Sequence, residues 1–199
     1  MRLSAAAVLG LMAGAAQAVT FNGTATADTF FRPGQDGLQV RANQLSNTGR
    51  QLFTSTPLNF DLVAAGDSVS IDLYRLVTFE PSLEEDDLVA KPLVTTLDFG
   101  SLGSIDIAGT TAGVLGPVPG ALASFIEGSI RVSPTLKLVV SIADVLFATD
   151  GTAYTAGTAT RGTVTATFTL AAVPLPATAP LVLLALGGLA AVARRRKTA

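Results

Sequence analysis

From Ser68 to Phe79 the chain places Val69, Ile71, Leu73, Val77 and Phe79 on one side. Ser70, Asp72, Tyr74 and Thr78 fall on the other, and Arg75 interrupts the apolar row. A period of two is the pattern of a strand with one face in a core and one in water. Gly128 to Val132, Leu136 to Ile142 and Thr163 to Leu170 repeat it, the last as Val164, Ala166, Phe168 and Leu170 set between threonines. Further strands are predicted over Gln39 to Leu45, Leu52 to Leu62, Leu93 to Phe99 and Ser104 to Ala108. Between residues 19 and 172 no stretch has helical periodicity, although Pro119 to Ile126 reads as one short turn of helix. Turn pairs punctuate the strands at Asn22-Gly23, Pro33-Gly34, Asp36-Gly37, Gly66-Asp67 and Asp150-Gly151, and Gly113 to Gly120 reads as a loop. Short alternating strands at this spacing predict an all-β fold, an antiparallel β-sandwich of about eight to ten strands, with a barrel as the alternative. An outer-membrane barrel is disfavoured, because two Tyr and no Trp cannot supply aromatic girdles.

Both ends of the chain depart from this pattern. Met1-Arg2 is a minimal basic start, Leu3 to Ala15 is apolar, and Ala16-Gln17-Ala18 supplies a small-x-small cleavage pattern. These features predict a secretory signal peptide over residues 1–18, cut after Ala18 by signal peptidase. At the other end, Val173-Pro174-Leu175-Pro176-Ala177 leads into an uncharged apolar run from Leu181 to Ala193, closed by Arg194-Arg195-Arg196-Lys197. At ~1.5 Å per residue, Val173 to Ala193 matches the roughly 30 Å hydrocarbon core of a bilayer. Pro174, Pro176 and Pro180 delay the regular helix to about Pro180. The basic cluster is the cytoplasmic stop of a single transmembrane helix, with the preceding body on the far side. The body is then 19–172, and 173–199 is a C-terminal signal.

The Val-Pro-Leu-Pro-Ala motif, short apolar helix and Arg-rich tail resemble the PEP-CTERM class of bacterial sorting signals, in the variant with Leu175 where the commonest pattern has Glu. The resemblance covers about 25 of the 199 residues. It implies an exosortase-type enzyme that acts at Val173, Pro174, Leu175, Pro176 and Ala177 and removes the helix. It also implies an exported protein that passes through the inner membrane to the cell surface or extracellular matrix, in some members alongside exopolysaccharide. Leu175-Pro176-Ala177-Thr178-Ala179 is similar as well to a sortase Leu-Pro-x-Thr-Gly signal with Ala for Gly; the preceding Val-Pro sides with the first resemblance.

Chemistry in the body is bounded by what the chain lacks. It has no His and no Cys. That removes Ser-His-Asp and Cys-His catalysis, His-based metal sites, disulfides and thiolate ligands. All fifteen acidic residues lie in the body against eight basic ones, a net charge of −7. Such a surface disfavours nucleic acid. The densest cluster, Glu84-Glu85-Asp86-Asp87, reads as a solvated loop or as oxygen ligands for Ca²⁺, without the ligand spacing of an EF-hand. Glu80 and Glu127 are the carboxylates a glycosidase would use, but no Trp is present to stack a sugar. Asp28, Asp61, Asp67 and Asp72 read as turn and surface groups, and the ten Phe as core.

The expectation is a non-enzymatic, exported β-sandwich without a cofactor, a structural or binding component of the surface or matrix. A calcium-dependent adhesion or carbohydrate-binding module and a carboxylate-based secreted glycosidase are the alternatives.

Overall fold

Thr, Val and Ile alternate along most of the body, and the computed structural model, which describes residues 18–32, 36–45 and 55–174, turns that alternation into eleven strands. In chain order they are β1 Val19–Thr29, β2 Val40–Asn43, β3 Thr56–Leu62, β4 Ser68–Thr78, β5 Lys91–Asp98 and β6 Ser104–Val114. There follow β7 Gly120–Phe125, β8 Gly128–Arg131, β9 Leu136–Ile142, β10 Val145–Phe147 and β11 Gly162–Ala172. Six form one antiparallel sheet in the order β10-β7-β6-β5-β1-β3, and five a second in the order β2-β4-β11-β9-β8. The sheets curl face to face around one core. The only helical pieces among the described residues are three-residue 3-10 turns, none able to cross a membrane. The predicted signal-peptide helix before Ala18 and the predicted transmembrane helix after Pro174 lie outside the described residues.

Four rings close the core near one end. Phe21 of β1 stacks on Phe60 of β3 at 5.0 Å between centroids, and Phe60 meets Phe168 of β11 at 4.7 Å. Phe99, just past β5, stands edge-on to Phe21, Phe60 and Phe168 at 6.0, 6.4 and 6.3 Å. Such offset and edge-to-face pairs add to the burial of the rings themselves. Phe168 comes from the second sheet and the other three from the first, so this cluster ties the sheets together. A second tie is polar: the buried Tyr74 hydroxyl of β4 hydrogen-bonds the Thr95 hydroxyl of β5 at 2.5 Å. Burial pushes the Tyr74 phenol up to about 12, so it stays neutral under all ordinary conditions.

Several expectations need correction. Eleven strands form where eight to ten were expected; among the extra ones are β1, β7 and the three-residue β10. Pro119 to Ile126 is no helical turn, because Gly120–Phe125 pairs with β6 from Gly109 to Val114 as a hairpin. Asn22-Gly23 is no turn but lies inside β1. A Cβ at Gly23 would collide with the backbone carbonyl of Asp98, so glycine there lets β5 join the sheet at Thr24.

The interrupted row in β4 has a physical cause. Leu73 is an extra residue between the pairs Tyr74↔Val164 and Asp72↔Thr165, a β-bulge. The bulge switches the inward face from odd to even positions. Leu73 and Tyr74 are both buried, Leu76 and Thr78 follow inward, and Arg75 turns out of the core. Tyr74 and Thr78, read as solvent-facing, are therefore buried. The Phe residues also divide: Phe30, Phe31, Phe79 and Phe125 are only half-buried, Phe53 lies outside the described residues, and the interior belongs to Phe21, Phe60, Phe99, Phe147 and Phe168.

Two outcomes check this architecture. Phe168→Ala, which removes the ring shared between the sheets, should cost about 3–5 kcal/mol in chemical denaturation. Tyr74→Phe, which strands the Thr95 hydroxyl in the core, should cost about 1–3 kcal/mol; a change within error for either would show that the sheets are held by other contacts.

Candidate functional site

The two predicted processing points, after Ala18 and from Val173 on, lie where the chain enters and leaves the body, at one end of the sandwich. Val19 pairs with Leu62, so β1 begins beside the last residue of β3. The turn that follows β3 is bonded to the end of β11, with Gly66 N–H donating to the Leu170 carbonyl at 2.7 Å and Leu170 N–H to that of Asp67 at 2.9 Å. The Asp67 carboxylate holds the same turn through the N–H groups of Val63 and Ala64. Ala18 and Val173 therefore emerge on either side of this turn. Val173 is still tied to the sheet, its N–H donating to the Thr135 carbonyl at 2.8 Å. Of the predicted processing residues, Val173 and Pro174 are described, and Leu175, Pro176 and Ala177 lie outside. So do Ala16 and the basic stop Arg194, Arg195, Arg196 and Lys197.

The opposite end, about 33 Å away along the eleven residues of β4, carries the charged chemistry. A hollow of about 320 Å³ is lined by Asp36, Gly37, Glu80, Glu84, Asp86 and Asp87, with Pro81 and Ser82. Gly37 has φ near +101°, a conformation that favours glycine, and its N–H donates to the Asp86 carboxylate. Gln39 N–H donates to Glu80 Oε1 at 2.9 Å, and Tyr154 Oη to the Glu80 carbonyl at 3.1 Å. Asp87, only 3 % exposed, takes the Glu84 N–H at 2.8 Å. The predicted acidic loop thus splits: Asp86 and Asp87 turn inward and hold backbone, while Glu84 and Glu85 face water. Among the described residues no group of three or more acids is arranged to hold a metal ion, so the Ca²⁺ reading of Glu84, Glu85, Asp86 and Asp87 gains no support.

Bases at this end lie on rings. The Arg41 guanidinium sits 3.9 Å from the Phe31 centroid and 5.8 Å from that of Phe79, and Lys91 Nζ lies 5.1 Å from Phe30. This explains why these three Phe are half-buried: their faces are covered by cations instead of core.

Glu80 is the most perturbed group in the hollow. Burial raises its carboxyl to about 7, helped by a hydrogen bond to Asp87 and by the charges of Asp87 and Asp86, against the Gln39 N–H. Glu127, on the β7–β8 connection, does not line the hollow, so the two carboxylates singled out from the sequence, Glu80 and Glu127, are not brought together there. Sequence reasoning missed Gln39 and Tyr154 altogether, and read Asp36-Gly37 only as a turn. The chain separates them from Glu80 by 41 residues or more, and only the pairing of β2 with β4 brings the first of them close.

Because the folded state holds the Glu80 proton from pH 4.5 up to about 7 while the unfolded chain releases it near 4.5, Glu80 stabilises the fold below 4.5 and that contribution is lost as pH rises through about 7. Glu80→Gln keeps an acceptor for Gln39 and supplies a permanent donor to Asp87. Its melting temperature at pH 8 should exceed that of the parent, by at most about 1 kcal/mol of stability given the solvent still around Glu80, and the two should converge at pH 4. A parallel offset at both pH values would refute the raised Glu80 carboxyl.

No curated protein and no solved structure matches the chain. A family model for the PEP-CTERM protein-sorting motif matches residues 172–197, beginning on the last residue of β11. The chain therefore carries a C-terminal PEP-CTERM sorting motif, joined without a spacer to the middle strand of its second sheet.

Proposed function

We propose that this chain is the precursor of an exported, non-catalytic β-sandwich, cleaved after Ala18, passed through the inner membrane, and processed by an exosortase at the VPLPA-type motif Val173 to Ala177. The sorting motif supports export, an exosortase partner and a destination at the cell surface or outside the cell. The body then serves as a structural or binding component of the surface or matrix. What carries this reading is the junction itself: a fold complete at Ala172, followed at once by the motif, with both processing points at one end. The absence of His and Cys from the sequence supports a role without nucleophilic or metal catalysis.

Removal of the tail is tested by intact mass and fractionation of the protein from its native host. A mature form starting at Val19 and ending within Val173 to Ala177, found outside the inner membrane, is the expected result. A chain ending at Ala199 and held in the inner membrane would overturn processing and leave a plain single-span anchor.

A further inference from the structure

The sorting motif begins inside the fold. Its match starts at Ala172, which pairs with Leu136 as the last rung between β11 and β9, and the next N–H, of Val173, is bonded to the Thr135 carbonyl at 2.8 Å. On the other flank Leu170 is bonded in both directions to the turn at Gly66-Asp67. The end of β11 is thus held from both sides as far as Leu170, and from the β9 side up to Val173, the residue before Pro174. An enzyme that reads Val173 to Ala177 needs that segment extended and accessible in its own cleft, and backbone locked in a sheet is a poor substrate until it opens locally. Room is also short. From Val173 to Leu181, where the uncharged run begins, the chain spans at most about 28 Å fully extended.

We propose that the folded body gates its own processing: Val173 must leave Thr135, and the end of β11 must fray from β9, before the motif can be cut. Val173, the first residue of the motif, then exists in two forms, bonded to Thr135 and released, and only the released form is substrate. This rests on the sorting reading above. It adds that the rate of maturation is set by local opening at the last rung of β11 as well as by recognition of the motif.

The chain has no cysteine, so a disulfide can be placed cleanly. Because Val173 and Thr135 are a hydrogen-bonded position, Ala172 and Leu136 face each other at the closer, non-hydrogen-bonded kind of pair, which suits a disulfide bridge. The experiment follows conversion of the full-length chain in its host by pulse-chase, with three forms compared. A six-residue Gly-Ser insertion between Ala172 and Val173 should speed conversion by about fivefold, the factor one backbone hydrogen bond is worth. Ala172→Cys combined with Leu136→Cys should slow it by at least as much when oxidised and return it to the parental rate on reduction, with a melting curve confirming the folded body. Equal rates for all three forms would overturn the gate while leaving the sorting reading intact. No conversion of any form, the insertion included, would overturn the sorting reading and the gate together.

Discussion

Everything in this fold waits for β11. It lies between β4 and β9 in the five-stranded sheet, pairing with one over Gly162–Thr169 and with the other over Ala166–Ala172. Its inward row Val164, Ala166, Phe168 and Leu170 is wholly buried. Phe168 completes the ring cluster with Phe60 and Phe99 of the opposite sheet. Without this strand the second sheet falls into two hairpin-sized pieces, and two-stranded pieces are marginal in water. As the last strand in chain order, β11 couples completion of the fold to arrival of the C-terminal signal.

That coupling has a thermodynamic side. With no disulfide to close loops, the body depends on burial and on paired backbone. The outer faces add cross-strand pairs, Thr165 Oγ1 to Asp72 at 2.6 Å and Ser70 to Thr167 at 2.9 Å, which satisfy polar groups on an exposed sheet. The threonines that read as the polar half of an alternating strand are therefore partners across strands, and Asp72 keeps its surface role by bonding one of them.

Most of the sheet was legible because alternation is a local signal. Leu136 to Ile142 was read to the residue, and Thr163 to Leu170 within two residues of β11. What escaped was non-local. The bulge at Leu73 is forced by the match of β4 to β11, and its only trace in the sequence is the misplaced Arg75. Strand β7 hides in Gly-Ala-Leu-Ala-Ser-Phe, whose Ala and Leu favour helix, because its pairing with β6 overrides that propensity. The hollow was illegible for the same reason. Glu80 acquires its environment from Gln39 and Asp87, and neither the sheet pairing nor the 3-10 turn at Asp86–Leu88 is written in the local pattern of charges.

The two ends of the sandwich differ in charge. The turn at 63–67, between the two exits, presents Val63, Ala64, Ala65 and Gly66 to solvent, and its single acid, Asp67, is occupied by backbone N–H groups. The far end concentrates five carboxylates in one hollow and stacks three cations on rings beside it. The group of the hollow that changes charge near neutrality is Glu80.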